Sequence, residues 1–308
     1  MHVYGCQRDA RGIGALFEYI EPAQDRPLTV WKGCEWTMDL EDARQAAVEA
    51  ARLAGELVRR YIGRPEQTMT KSSPHDFVTE VDKACQDVIA DFLSQLYPES
   101  AFLGEEAVAP GSDAAALAAR QADQRFLWVV DPIDGTLNFI RGLPACTVSI
   151  GLVVLGQPTV GVVYDPLRDE MFTGITGQGA TLNGAPMRVS DVDDLSSALL
   201  ASGLPTGAYR DKNAEQIRRF GRQVRNVRAF GSAALHLAYV AAGRLDGFWE
   251  NDLNAWDLLG GAVLVKAAGG EITDAKGAPY SLETRHAAAT NGRIHRMLLR
   301  DLDLDQPS

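Results

Sequence analysis

A layered α+β architecture is the fold class this 308-residue chain predicts, on three observations. Strand-like and helix-like segments mix along the whole length. Meanders joined by tight turns stand beside connections long enough for crossovers, which favours layers over a simple Rossmann sheet. No internal repeat or low-complexity tract interrupts the pattern. With 46% hydrophobic residues the chain can bury a substantial core, and length alone leaves one large domain or two moderate ones open.

Residues 1–37 carry no sustained periodicity and no basic start leading into an apolar core, so they read as an irregular extension or a start placed upstream of Met38, with a docking arm as the other reading, and not as an export signal. The domain proper is expected over 38–308. Asp39 is a good N-cap, and Leu40, Ala43, Ala47, Ala50, Leu53, Leu57 and Tyr61 recur at helical spacing. Gly63 and Pro65 break that helix. A second helix is expected over 81–96 with Val88, Ile89, Phe92, Leu93 and Leu96 as its apolar face. Residues 110–122, rich in Ala, Gly and Asp, read as a surface loop or short helix. The uninterrupted apolar run 126–130 reads as a buried strand. Pro132 should stop its ladder, Gly135 permits any backbone conformation, and Thr136 opens a helical turn. From 147 to 173 the chain is a strand meander with turns expected at Gln157-Pro158 and Asp165-Pro166, and Asn183-Gly184 marks a further tight turn. A helix over 233–242, a strand over 245–249, a helix over 256–268 and short closing strands complete the reading.

The sharpest local signal is Asp131-Pro132-Ile133-Asp134-Gly135-Thr136, at the carboxyl end of the 126–130 strand. Two aspartates three positions apart can share or bridge hard cations such as Mg2+, and free amides at a helix start favour an anion such as phosphate. Taken alone, such a stretch is more often a turn with solvated acids. Further acids change the balance: Asp82 after Phe77-Val78-Thr79, the Glu105-Glu106 pair after Phe102-Leu103-Gly104, Glu250 after Phe248-Trp249, and Asp257 after Trp256. Acids beside apolar residues are costly to desolvate unless cations or donors compensate them.

Composition excludes other classes. The net charge of -11 opposes nonspecific nucleic-acid binding. No apolar stretch nears the ~20 residues of a membrane span. Cys6, Cys34, Cys85 and Cys146 form no paired motif, which points to reduced thiols in a cytoplasm. His2, His75, His236, His286 and His295 are scattered, without zinc-site spacing, and no Gly-rich nucleotide loop is present.

The set Lys71 to Asp76, Gly104-Glu105-Glu106, Asp131 to Phe139, Gly161 to Pro166, Gly231-Ser232-Ala233-Ala234 and Trp256-Asp257-Leu258-Leu259-Gly260-Gly261 resembles, in order and at family-like intervals, the inositol monophosphatase family of Mg2+-dependent, lithium-sensitive phosphatases. The resemblance implies the α/β/α/β/α sandwich of the sugar-phosphatase type and hydrolysis of a phosphomonoester by metal-activated water. It assigns Glu105, Asp131 and the carbonyl of Ile133 to a first Mg2+, and Asp131, Asp134 and Asp257 to a second, with a third, weaker ion near Glu105. Asp82 and Thr136 carry over as the pair that positions water, so Asp82, Thr136 and Glu105 are the expected catalytic residues. The Gly135 and Thr136 amides would cradle phosphate. Asp134, Ser232, Ala233, Glu250 and Asp257 would meet the substrate, with Glu106 and Asp76 behind the metals and Lys71 a basic candidate. The 251–255 segment, where members differ most, leaves the substrate open: its polar residues suit hydroxyls, while Asp252 would suit an amine. The expected substrate is inositol-1-phosphate or another small phosphorylated polyol. The alternatives are a histidinol-phosphate phosphatase and a regulatory binding protein that keeps the fold. A bisphosphate nucleotidase is disfavoured by Leu137, where those relatives carry lysine. A homodimer is expected from the family.

Overall fold

The computed structural model describes residues 38–70, 77–108, 117, 118, 121, 124–205 and 207–302. The extension expected at 1–37, the segment with Lys71, His75 and Asp76, and most of 110–122 lie outside them. The helices are α1 (Leu40–Tyr61), α2 (Glu80–Leu96), α3 (Thr136–Arg141), α4 (Arg210–Phe220), α5 (Ala233–Ala241), α6 (Ala255–Ala267) and α7 (His295–Leu302). A short antiparallel pair, β1 (Thr68–Thr70) and β2 (Phe77–Thr79), precedes α2.

Seven strands form the larger sheet in sequence order: β3 (Ala101–Gly104), β4 (Phe126–Asp134), β5 (Thr147–Val154), β6 (Gln157–Asp165), β7 (Glu170–Ile175), β8 (Gly179–Leu182) and β9 (Ala185–Met187). Only the β3–β4 pair is parallel; β4 through β9 are the expected meander. The five-stranded sheet runs β11 (Asn226–Arg228), β10 (Leu199–Ser202), β12 (Gly247–Glu250), β14 (Ala287–Thr290), β13 (Glu271–Asp274).

Side-chain alternation along the strands builds the layers. Trp128, Val130, Val148, Ile150, Val162 and Tyr164 face the cluster of α1 and α2. Leu127, Val129, Val163 and Phe172 face α5 and α6. The other side of those two helices receives Ala201, Phe248, Ile272 and Ala289 of the second sheet, whose outer face packs Leu200, Trp249 and Ala288 on Phe220 of α4 and Leu298 and Leu302 of α7. The result is helix pair, sheet, helix pair, sheet, helix pair. α6 is apolar on nearly every face because it lies between two sheets. It approaches β6 so closely that a Cβ on Gly161 would strike the carbonyl of Gly260 and come within 2.8 Å of Val263.

Local sequence explains the helix starts. Asp39 accepts from the amides of Glu41 at 2.8 Å and Asp42 at 3.1 Å, satisfying donors a helix start leaves free. The buried stripe of α1 is Ala43, Ala46, Ala47, Ala50, Ala51, Ala54 and Val58, with Leu53 and Leu57 only partly covered. Small residues bring the helix down onto the sheet, and the leucines flank the contact.

Four readings change. Pro132 does not end its strand: β4 continues to Asp134, and the ladder passes from Asp131↔Ser149 to Asp134↔Thr147 through a register shift. The β5–β6 turn is Leu155-Gly156, with φ of 49° and 75°, the twist a two-residue hairpin prefers; Gln157 and Pro158 lie within β6. Leu96, expected on the apolar face of α2, is 48% exposed. α4, α7, β10 and β11 were not foreseen. Asn183-Gly184 does form the β8–β9 turn, with φ of 49° and 81°. Among the described residues no helix is long and apolar enough to cross a membrane.

Candidate active site

The register shift in β4 is what separates Asp131 from Asp134 and lets both carboxylates serve one place. Asp131, buried, accepts the Ile133 amide at 3.1 Å. Asp134 Oδ2 accepts from the Ser232 hydroxyl at 2.7 Å and the Ala234 amide at 2.6 Å, donors presented by the start of α5. Asp257 comes from the first turn of α6, where it accepts the Asn254 amide at 2.6 Å in a capping box. Single oxygens of Asp131, Asp134 and Asp257 lie within 4.8 Å of one another.

Such crowding is felt as charge. Burial pushes the Asp134 carboxyl up to about 6, against the opposing effect of the Ser232, Ala234 and Ala233 donors, and Glu105 pushes it further. Burial, then Glu105, then Asp134 raise Asp257. Glu105 opens the short 3-10 turn Glu105–Ala107 after β3, so its charge bears on both aspartates. Four acids from three parts of the chain make a concentration of negative charge that a divalent cation would relieve. Every donor is a hard oxygen, which suits Mg2+ and not a soft metal.

Beside the cluster stands the expected Thr136–Asp82 pair. The Thr136 hydroxyl lies 3.2 Å from both Asp82 Oδ1 and the Ile133 carbonyl. The other Asp82 oxygen accepts from the Thr79 amide at 2.8 Å and its hydroxyl at 2.5 Å. Asp82 is therefore the N3 acid of the α2 capping box as well as Thr136's partner. Gly135, with φ +95°, caps α3; a Cβ there would come within 3.0 Å of the Ala145 and Gly231 carbonyls. Asn138 closes the same junction, donating to the carbonyls of Ala145 at 2.7 Å and Phe230 at 2.6 Å.

Glu250 ends β12 with its carboxylate packed on Gly203, where a Cβ would collide with it. Burial pushes this acid up to about 8, with Asp134 and Asp257 adding to the rise and the Gly203 amide opposing it. The mutual effects of Glu105, Asp134, Asp257 and Glu250 put these acids in one electrostatic neighbourhood.

Neighbouring residues make contacts of their own. The Glu106 amide donates to Gln86 Oε1 at 2.8 Å. Asn251 is buried and donates to Asn213 and, at 2.9 Å, to Gln216 of α4. Asp252 is paired with Arg285 at 2.6 Å. Thr79, Asn138 and Ala234 stood within the quoted motifs without a role of their own, and Gln86 and Arg285 were not singled out at all. Thr79-x-x-Asp82 carried a usable capping signal; each of the others makes a contact across 20 or more residues, which no local pattern reveals. Ser232 was foreseen as a substrate contact, and its visible work is holding Asp134.

Known proteins resemble this chain over most of its length. The model of the inositol monophosphatase family matches residues 39–305. Inositol monophosphatase 3 of Solanum lycopersicum is 43% identical over 270 residues, covering 86% of this chain and 97% of the relative. The Nus factor SuhB of Escherichia coli K12 is 40% identical over 259 residues, 83% of this chain and 94% of the relative. The solved inositol monophosphatase of Anabaena superposes with a TM-score of 0.74 at 36% identity, covering 88% of this chain and 98% of that one. This protein belongs to the inositol monophosphatase family, whose members are phosphatases.

Proposed function

We propose that this chain hydrolyses a small polyol phosphomonoester, inositol-1-phosphate first among them, to the polyol and inorganic phosphate with the help of Mg2+. The observation that carries the reading is the convergence of Asp131, Asp134 and Asp257 within 4.8 Å next to the Thr136–Asp82 pair. The all-oxygen donor set and the raised carboxyls fit a hard cation. Glu105, Asp131 and the Ile133 carbonyl are assigned to one Mg2+ and Asp131, Asp134 and Asp257 to another, with room in the reading for a third near Glu105. When bound, the ions supply positive charge for the phosphoryl oxygens and make water a better nucleophile at neutral pH.

The chain's own groups do the rest. The Gly135 and Thr136 amides at the start of α3 hold phosphate oxygens. Thr136 passes its hydroxyl proton toward Asp82 and so accepts from the attacking water, fixing its line of approach to phosphorus. Asp82 holds its place because Thr79 occupies its second oxygen. The water oxygen bonds to phosphorus as the phosphorus–oxygen ester bond breaks; the water gives up a proton and the leaving alkoxide takes one up from solvent, so polyol and inorganic phosphate form with no net change in protons. Glu250 receives a substrate hydroxyl, while Asp134, Asp257 and the Ser232-Ala233 turn complete the polyol wall.

The same reading includes lithium inhibition, a homodimer and a cytoplasmic setting, the last supported by the unpaired, buried Cys85 and Cys146. Histidinol phosphate is the rival substrate. The relative named as a Nus factor supports a second reading, a binding role on the same fold; the assembled carboxylates favour catalysis. A panel of phosphomonoesters incubated with purified protein and Mg2+, read by released phosphate, tests the proposal: turnover greatest on inositol-1-phosphate supports it, and no turnover on any member overturns it.

A further inference from the structure

The turn joining Glu250 to Asp257 holds a charge pair that bears on which substrates the pocket accepts. Asp252 adopts φ +67°, a left-handed conformation that Asp tolerates better than most residues but that still needs support. The neighbouring 285–286 segment supplies it. Arg285 Nη2 donates to Asp252 Oδ1 at 2.6 Å and Nη1 to Asn254 Oδ1 at 2.8 Å. The Leu253 amide donates to the Arg285 carbonyl at 2.8 Å, and the Asp252 amide to His286 Nδ1 at 3.3 Å. Asn254 in turn caps α6 over Asp257, and the Arg285 charge is felt at Asp257.

We propose that Arg285 is a specificity-determining residue: by neutralising Asp252 it denies an ammonium group a counter-ion on this turn and so favours uncharged polyol phosphates over amine-bearing ones. The inference rests on the phosphatase reading above and adds the substrate class. The geometry is that of a fork, one guanidinium spanning two side chains of the same turn, and a lysine would not span both. Both partners are partly covered, with side-chain exposures of 31% and 28%, so their charges are less screened than those of a fully exposed pair. Without the guanidinium, an unneutralised carboxylate would stand two residues from Glu250, the acid that receives a substrate hydroxyl in the proposed reaction, and would offer a cationic substrate a counter-ion. With it, the turn is charge-balanced and offers amides and carbonyls to hydroxyls. Discrimination by an unmatched charge is a common means of rejecting a wrong partner.

The test compares kcat/KM for inositol-1-phosphate and histidinol phosphate in the wild type, Arg285→Gln, Asp252→Asn and the double variant. Arg285→Gln should move the ratio at least ~10-fold toward histidinol phosphate, the scale expected for one unpaired charge near the pocket. Asp252→Asn should move it the other way, and the double variant should return to the wild-type ratio. If Arg285 merely braces the turn, both substrates fall together and the ratio stays put, which overturns the proposal. The double variant separates charge from folding, since it lacks the ion pair yet should regain the ratio. Failure of the wild type to hydrolyse either substrate would instead strike the phosphatase reading.

Discussion

Replacing Asp134 with Asn should leave the metal-free protein more stable while stopping its chemistry. Burial holds its carboxyl up at about 6 against an ordinary 3.8, a difference that puts on the order of 3 kcal/mol of unfavourable free energy on the ionised form at pH 8. The sign follows from the raised value. Below 3.8 the group is protonated folded and unfolded and costs nothing; the cost grows as pH rises toward 6 and is complete above it. Asparagine keeps an acceptor for the Ser232 hydroxyl and the Ala234 amide and sheds the charge. Allowing for imperfect fit, a gain of ~2 kcal/mol, or about 5 °C in Tm, is expected at pH 8 in chelator, shrinking toward pH 4. Excess Mg2+ should then invert the order, because the wild type gains ~2.7 kcal/mol at a hundredfold excess over Kd and the variant loses most of that gain. Thermal melts of both proteins at pH 5 and pH 8, with and without Mg2+, and phosphate release provide the readouts. A lower Tm for the variant in chelator, an equal Mg2+ response or wild-type turnover would refute the reasoning.

Thr136→Ala should depress kcat far more than KM in steady-state assays, since orientation of water acts in the transition state; a selective rise in KM would make Thr136 a phosphate ligand. Gly161→Ala should cost roughly 2–3 kcal/mol in denaturant titration, because the added methyl meets the Gly260 carbonyl, and an unchanged midpoint would show that α6 can withdraw from β6. Lithium should inhibit phosphate release at ~millimolar concentration by competing for a Mg2+ site, and full insensitivity would argue for a different ion arrangement. A chain beginning at Met38 should fold and hydrolyse substrate like the full chain, since every residue given a role in the proposed chemistry lies beyond residue 70 and the family match begins at residue 39; loss of Tm or a collapse of kcat/KM would make 1–37 a working part.

Much of the site was legible because its chemistry is written locally. Asp131 through Thr136 declares a strand end, a turn and a helix start within six letters, and Asp39 declares the start of α1. What stayed hidden depends on distance or on reversed patterning. The helix of Arg210–Phe220 buries Asn213 and Gln216 alongside Phe220, so its inward face reads as polar. Those amides are satisfied by the Gly203 carbonyl ten residues upstream and, from farther along the chain, by Asn251 and the Leu302 carbonyl. Proline misled twice, because at Pro132 and Pro158 the strand absorbs it at a register irregularity instead of ending. Asp252 looked available to an amine only because its partner, Arg285, sits 33 residues downstream.

The central claim is that the carboxylate cluster holds the cation on which phosphomonoester hydrolysis depends. The most direct measurement is the initial rate of phosphate release from inositol-1-phosphate as Mg2+ is titrated from chelator into the millimolar range, in the wild type and in Asp257→Asn. The account predicts no turnover in chelator, a saturable rise with Mg2+ in the wild type, and a rise that is lost or displaced to much higher Mg2+ in the variant. Turnover that ignores Mg2+, or a variant whose titration overlays the wild type, would contradict it.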